Sequence, residues 1–380
     1  MLDQLLGAHF NLMIGQGLPR PAPAAVMEQF ASAEIAASDR ERSGFELVFE
    51  AGRSGTVAGV FPIMTEPGLQ AGSRVVITAT IGIRPHVLMD GIIEQAEFTP
   101  AEADSPATLK VRGKDMGFVM DREEVEAQHP AQGPGEIAML VLAKYAQYGI
   151  LPTVIPPTTA ERPNPIDRVP MQRATDFAYL TELAAAHDAI FTLIPGPAPL
   201  TSTAYWGPQP RIGLPQPAIT TDMGPETNVS GLNIENAEAE AASVSGQVQD
   251  RQSGQTIPVQ SVVPLRPPLA ARPALANAST ARRNLFQTNG APTAAQAMGE
   301  AQAQSDASLD TVTVTGDLDT SVYGGILKPR GLVGLRGAGF AHDGLYYVQS
   351  VIQKISRGTW TQSFTLNREG VGTTTPVVLP

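Results

Sequence analysis

Asp343-Gly344-Leu345-Tyr346-Tyr347-Val348-Gln349-Ser350-Val351, continued by Gln362-Ser363-Phe364-Thr365-Leu366-Asn367-Arg368-Glu369-Gly370, is the stretch on which the reading of the fold turns. An Asp-Gly pair supplies a turn position that tolerates positive φ, and the β-branched and aromatic residues after it have strand character. Strands are therefore expected over 332–336, 345–355 and 359–368. The same layout stands earlier in the chain. Arg74-Val75-Val76-Ile77 is followed by Asp90-Gly91-Ile92-Ile93 and then by Thr108-Leu109-Lys110-Val111-Arg112-Gly113. Each copy reads as strand, short loop ending in Asp-Gly, strand, loop, strand. Asp-Gly hairpins also arise by chance in any β-rich chain, so the pattern alone leaves open whether the halves are a duplication. A duplication sets two similar β units on either side of whatever lies between.

Working outward, Phe45, Leu47 and Phe49 alternate with Glu46, Val48 and Glu50, the pattern of a half-buried strand. Strands are also expected over 75–83, 92–98, 108–112, 228–235, 243–249, 255–260 and 311–315, with a turn over 250–254. The texture changes near residue 116. A helix is expected from Pro134-Gly135-Glu136, with Ile137, Leu140, Val141, Tyr145 and Tyr148 on one face and Gly149 as its stop. A second helix starts at Thr175 or Asp176 and carries Phe177, Leu180 and Leu183 on its apolar face. A strand at 190–194 completes an α/β segment. Residues 261–310 are rich in Ala, Pro, Gln, Ser and Asn with one aromatic, Phe286, and are expected to be a flexible insertion, helical in part around 293–304. The expected organisation is a β unit over 1–115, an α/β middle domain over 116–205, and a second β unit built from 206–260 and 311–380.

The chain has 380 residues and a formal charge of −11, with only 17% charged residues against 36 glycines and 33 prolines. This composition favours strands and turns over long surface helices. The acidic balance argues against nucleic acid as a specific partner, because little counterion release is available to such a surface. With no cysteine, disulfides, thiolate metal sites and cysteine nucleophiles are excluded. The apolar stretch 5–14 is broken by His9 and Asn11 and lacks a basic leader, so neither a signal peptide nor a membrane span is expected.

No catalytic constellation emerges. The five histidines, His9, His86, His129, His187 and His342, show no metal-binding spacing, and His187-Asp188 is the one His-Asp pair. Asp121, Glu123, Glu124 and Glu126 could be imagined as glycosidase carboxylates, but such a cluster is commonly a solvated face. Gly337-Ala338-Gly339 meets no helix that could hold a phosphate and reads as a turn. Trp206 and Trp360 are candidates for interface anchors or for core packing. No catalytic, cofactor-binding or metal-binding residue is assigned, and no cofactor is expected.

The C-terminal stretch quoted first resembles the phage late control gene D family, the baseplate hubs of contractile tails and contractile injection systems. Further pieces of the resemblance are Ser43-Gly44-Phe45-Glu46-Leu47-Val48-Phe49, Val111-Arg112-Gly113-Lys114-Asp115, Gln172-Arg173-Ala174-Thr175-Asp176-Phe177, and Pro195-Gly196-Pro197 through Tyr205-Trp206-Gly207-Pro208. Together they span nearly the whole chain except 261–310. The resemblance implies a mainly β fold with an α/β insert, in which two tail-tube-like β-barrels flank a smaller domain, as in the hub domain of VgrG and of T-even phage baseplates. It implies a homotrimer whose six barrels meet a sixfold tube on one face and a threefold spike on the other. The implied partners are the chain itself, an inner tube protein or tube-initiating ring, other baseplate components, and a spike. Because the chain stops at Pro380, with no room for a fused needle, the spike is expected on a separate protein. Assembly in the bacterial cytoplasm and residence in a phage or tail-like particle follow. The alternative readings are a tail-associated wall-degrading enzyme using Glu123 or Glu124, and a hexameric tail-tube or adaptor protein, which needs only one barrel.

Overall fold

In the computed structural model of the chain the described residues are 8–52, 61–102, 106–157, 162–166, 168–250, 253–261, 264, 266–276, 281–287 and 293–375. The first half contains β1 (Ala8–Gly15), β2 (Arg20–Pro21), α1 (Ala24–Glu28), β3 (Phe30–Ser38), β4 (Gly44–Glu50), β5 (Arg74–Ile81), β6 (Arg84–Thr99) and β7 (Thr108–Asp115). The middle contains β8 (Glu124–Gln128), α2 (Pro134–Ala143), β9 (Ile150–Val154), β10 (Met171–Thr175), α3 (Asp176–Ala185), β11 (Ile190–Pro195) and β12 (Ser202–Gly207). Then follow β13 (Gln216–Thr220), β14 (Val229–Asn236), β15 (Ala242–Gln249), β16 (Thr256–Gln260), β17 (Ala270–Pro273), β18 (Arg282–Leu285) and α4 (Ala294–Ala307). The chain closes with β19 (Val312–Asp319), α5 (Thr320–Tyr323), β20 (Leu332–Arg336), β21 (Gly344–Ser356), β22 (Thr359–Arg368) and β23 (Gly370–Thr373).

The fold is mainly β, as expected, and thirteen strands belong to one sheet. Its first part runs β3-β4-β7-β6-β5-β1 and its second β14-β19-β22-β21-β20-β13. The two orders correspond strand for strand. One difference breaks the match: β1 is antiparallel to β5, whereas β13 is parallel to β20. Each part curls round its own core. Phe10 of β1 stacks on Phe30 of β3 with centroids 4.6 Å apart, which brings the end strands of the first part together. In the second, Asn228 joins β13 to β14, its Nδ2 donating to the Ala218 carbonyl (3.0 Å) and its Oδ1 accepting from Thr220 N (2.8 Å). In β4 the expected alternation places Phe45, Leu47 and Phe49 in the first core and Glu46 outward. The second core is built on Val314, Leu318, Val333, Leu335, Tyr346, Val348 and Leu366.

The two parts are joined by a strand pair. β21 pairs with β22 on one edge, while its other edge is shared between β20 and β3. Residues 344–347 meet β20, and residues 350–356 meet β3 in the register Ile352↔Ala36. Ile355 and Trp360 consequently pack into the first core although they come from β21 and β22.

The Asp-Gly reading needs correction. Asp90-Gly91 lies inside β6, and the β5–β6 turn is at Gly82-Ile83. Asp90 is buried and holds Arg74 through two 2.7 Å hydrogen bonds. Gly91 is needed for close approach rather than for a turn, since a Cβ there would come within 2.2 Å of the Lys114 carbonyl oxygen. Bulges fix the true equivalence. β6 bulges against β7 between Ile93 and Gln95, and β21 against β22 between Val348 and Ser350. Aligning them equates Glu94 with Gln349 and Gly91 with Tyr346, so the two Asp-Gly pairs do not correspond. The repeat is one of topology.

The region expected to be flexible also differs. The β14–β19 hairpin is the counterpart of β3–β4, and its strand ends stay paired at Asn236↔Val312 while residues 237–311 leave and return. β15 and β16 were expected in the second β unit. They form instead a three-stranded sheet with β18, on which α4 packs through Ala297 and Ala301 against Val244, Val248 and Val259. The helix expected around 293–304 forms as α4, and its packing is possible at low hydrophobicity because alanine loses no side-chain entropy in a helix and lets the helix lie close to a sheet. A Thr293–Gln296 capping box starts α4. Of the turn expected over 250–254, residues 251–252 lie outside the described residues; Gly254 N donates to Asp250 O (2.7 Å).

Both helices expected between the two parts form. α2 and α3 pack on the sheet β11-β12-β9, with Trp206 fully buried among them. The first ends at Ala143, earlier than expected, and Gly149 with φ 81° closes a separate 3-10 turn at Ala146–Tyr148; Thr175 caps the second.

Replacing Gly91 by Ala is expected to destabilise the chain by about 3 kcal/mol, because the new methyl meets backbone rather than a side chain that can turn away. Gly52→Ala, where a Cβ meets nothing within 4 Å among the described residues, should change stability by less than about 0.5 kcal/mol. Chemical denaturation of the two variants checks the contrast.

Candidate functional site: the junction of the domains

The residues weighed for chemistry are scattered. His9 pairs across from Thr80 on β1, and His86 lies at the start of β6. Burial, with Lys328 and Arg84, pulls the His86 pKa below its ordinary value. His129 is buried and stacks on Tyr179 at 5.8 Å. His187 follows α3, and burial with Arg168 lowers its pKa. His342 lies in a turn and its carbonyl accepts from the Tyr346 hydroxyl (2.7 Å). Among the described residues no three of His, Asp and Glu gather as a metal set.

The acidic cluster is spread over a surface. Glu123 is exposed, and Glu124 and Glu126 stand on β8, where Glu126 faces Arg173 at 3.3 Å with both side chains largely exposed. Asp121 belongs to a joint instead. Gly337 and Gly339 adopt φ 88° and 86° in a turn, where the Ala338 amide donates to Asp343 Oδ1 (2.8 Å). Trp206 is core, its indole donating to the Leu180 carbonyl (3.1 Å). Trp360 packs across the two halves and donates to Gln353 Oε1 (2.7 Å).

The charged groups that do converge lie where every part of the molecule meets. Arg211, between the middle domain and β13, is buried to 1% exposure and ion-pairs with Asp310 and Glu369. Arg266 holds Asp188 at the end of the middle domain and reaches Asp310 (3.4 Å) and Gln209 Oε1 (3.2 Å). Gln209 in turn donates to Asp39 (3.1 Å), and Arg40 approaches Asp310 at 3.3 Å, both from the β3–β4 turn. Glu369 accepts the amides of Leu269 and Ala270, which leads the chain into β17 and its pairing with β23. Arg330 closes the group by donating to the Ser38 carbonyl (3.1 Å) and Thr192 Oγ1 (2.9 Å). Burial opposes the Arg266 cation, but the hydrogen bonds and charge of Asp188, with Asp310, hold its pKa above the ordinary value. Of these residues the sequence singled out Asp188, as the neighbour of His187 and not as a partner of Arg266. Arg368-Glu369 was visible as part of the C-terminal motif, yet the partners of Glu369 lie about a hundred residues or more away in sequence.

A second joint ties the first β unit to the middle domain. Arg42 pairs with Asp121 at 2.8 Å, lies 3.6 Å from Asp115, and stands over the Phe177 ring at 4.7 Å. Thr175 Oγ1 donates to Asp121 (2.7 Å). Asp115 ends β7 and accepts from Gly117 N (3.0 Å). Burial lifts its carboxyl to about 6 against the pull of Arg42 and that amide. The geometry is that of a rigid joint, with charges used to lock parts rather than aimed at a substrate cleft.

No family model matches the chain, and no curated protein matches it in sequence. Solved structures do match in fold. A tail protein of Neisseria meningitidis superposes with TM-score 0.63 at 14% identity, covering 96% of this chain and 98% of the other. The 43 kDa tail protein of prophage MuSo2 from Shewanella oneidensis gives TM-score 0.65 at 12% identity, covering 96% and 99%. A type VI secretion component of E. coli, described as structurally similar to the T4 tail proteins gp27 and gp5, gives 0.55 at 13% identity over 97% and 80%. The chain thus has the fold of these tail proteins and of a type VI secretion component.

Arg211→Ala should cost about 3 kcal/mol, because it removes the cation buried between two carboxylates and leaves Asp310 to the longer contacts of Arg40 and Arg266 and Glu369 to the Leu269 and Ala270 amides; denaturant midpoints measure it. Asp115 binds its proton more tightly folded than unfolded. Its contribution is therefore fully present below about pH 4 and is lost as pH rises through about 6. Between pH 7 and pH 4 the stability of the native chain relative to Asp115→Asn should shift in favour of the native chain by about 2 kcal/mol.

Proposed function

We propose that this chain is a non-enzymatic baseplate hub of a contractile phage tail or tail-like injection system. The observation that carries the reading is the pair of corresponding six-strand orders held in one sheet. A chain that carries the unit twice can present six units from three copies, which matches a sixfold tube to a threefold spike. A tube protein needs the unit once. Near-complete coverage of two tail proteins, one of them from a prophage, supports the same role.

On this reading the partners are two further copies of the chain, a tube protein or tube-initiating ring, a spike protein, and other baseplate components. The chain assembles in the bacterial cytoplasm and remains in the particle. The locked charge joints suit a part that transmits force without changing shape.

Co-expression with the neighbouring tail genes tests the proposal. Particles formed without this chain are expected to lack baseplates, and complete particles are expected to hold three copies. Intact but inactive particles would point to an enzyme, and a ring of six copies would point to a tube protein.

A further inference from the structure

The internal junction between the two halves is also a template for contact between copies, an inference that rests on the ring-forming hub reading. Within one chain, residues 350–356 of β21 continue past the end of β20 and pair with β3. The counterpart of β21 is β6, whose pairing with β5 runs over 84–92. Beyond the bulge, β6 continues to Thr99 with β7 on one edge, and among the described residues its other edge has no strand partner. Residues 94–97 and Thr99 are exposed there, and Phe98 is half-buried. The counterpart of β3 is β14, an end strand of the sheet, paired with β19 on one side alone among the described residues. Each chain therefore presents one unpaired copy of each edge that its own junction joins.

The bulges set the register. Aligning Glu94 with Gln349 equates Glu97 with Ile352 and Phe98 with Gln353. Following the β4–β7 and β19–β22 registers back to the end strands equates Ala36 with Glu235 and Ile35 with Ile234. We propose that residues 96–99 of one copy pair antiparallel with residues 233–236 of the next, in the register Ala96↔Asn236, Glu97↔Glu235, Phe98↔Ile234 and Thr99↔Asn233. The occupant of each edge is a second copy of this chain.

The side chains fit the inward face of such a junction. Phe98 and Ile234 are partly buried residues at the margins of the two cores, and the pairing sets them opposite each other, where Ile35 and Gln353 stand within the chain. On the other face Glu97 meets Glu235, a like-charge pair. Lys110, which stands across from Glu97 on β7, supplies a neighbouring positive charge. Exposed strand edges are ordinarily blunted, and ring closure blunts both at once.

Because the chain has no cysteine, disulfide trapping reads the register directly. The full chain carrying Glu97→Cys and Glu235→Cys is oxidised, both concentrated alone and within particles from co-expression. The expected result is linked species of two or more chain masses. A mixture of the Glu97→Cys chain with the Glu235→Cys chain should give the two-chain species. Thr99→Cys with Glu235→Cys, two residues out of register, should link at least tenfold less. Ala36→Cys with Ile352→Cys, the corresponding internal pair, should link within one chain without change of mass. No link between copies at 97 and 235, equal linking at 99 and 235, or capture of a tube protein by Cys at 97 would overturn the pairing. If three-copy particles still form in that case, the hub reading stands and the strand contact falls; if no baseplate depends on the chain, the hub reading falls as well.

Discussion

The buried pairing of Arg211 with Asp310 and Glu369 is the constraint on which the arrangement of parts depends. The guanidinium has been taken out of water, at a cost of several kcal/mol that is offset only if its carboxylate partners stay in place. Those partners come from different regions. Asp310 ends the excursion between β14 and β19, and Glu369 follows β22. Through Asp310 the β3–β4 turn and Arg266 join the same group, and through Arg266 the middle domain joins as well. Moving any one part by a few ångströms would strand a charge in a poorly hydrated space. Apolar packing holds each part together; the ion pairs hold the parts to one another.

The continuous sheet supplies the other half of the rigidity. A junction made of backbone hydrogen bonds between β3 and β21 resists shear in a way that a side-chain interface does not. It also lets Ile355 and Trp360 contribute to a core that belongs mostly to the first half. Strand pairing is indifferent to side-chain identity, which explains how the two halves can share an order of strands while their side chains diverge as far as Gly91 and Tyr346. The excursion over 237–311 is compatible with this frame because it leaves and returns at adjacent residues of one hairpin.

A good part of the architecture was legible in the sequence. The strands at 332–336 and 359–368 and the two middle helices follow from periodicity and end signals, which are local. The Asp-Gly pairs were legible as residues but not as structure. Asp343-Gly344 does lead into a strand after a turn, whereas Asp90-Gly91 answers to a neighbouring carbonyl and to Arg74. The helix in the insertion was legible around 293–304, but its seat on a sheet was not, because alanine-rich sequence is equally the composition of a disordered linker and of a helix lying close on a sheet. The joint residues Arg211, Gln209, Arg266 and Asp310 carry no spacing signal at all.

The β character, the α/β interruption and the absence of cysteine chemistry follow from residue types and short-range periodicity, and so were readable before any fold was known. Which strands pair, in what register, and which charges meet were decided by the tertiary structure alone. Glu369 and Arg211 are 158 positions apart in sequence, and Ser350 and Ser38 farther still, yet each pair is in contact. Pairing across such separations depends on the closure of whole sheets around their cores, and no local pattern encodes that.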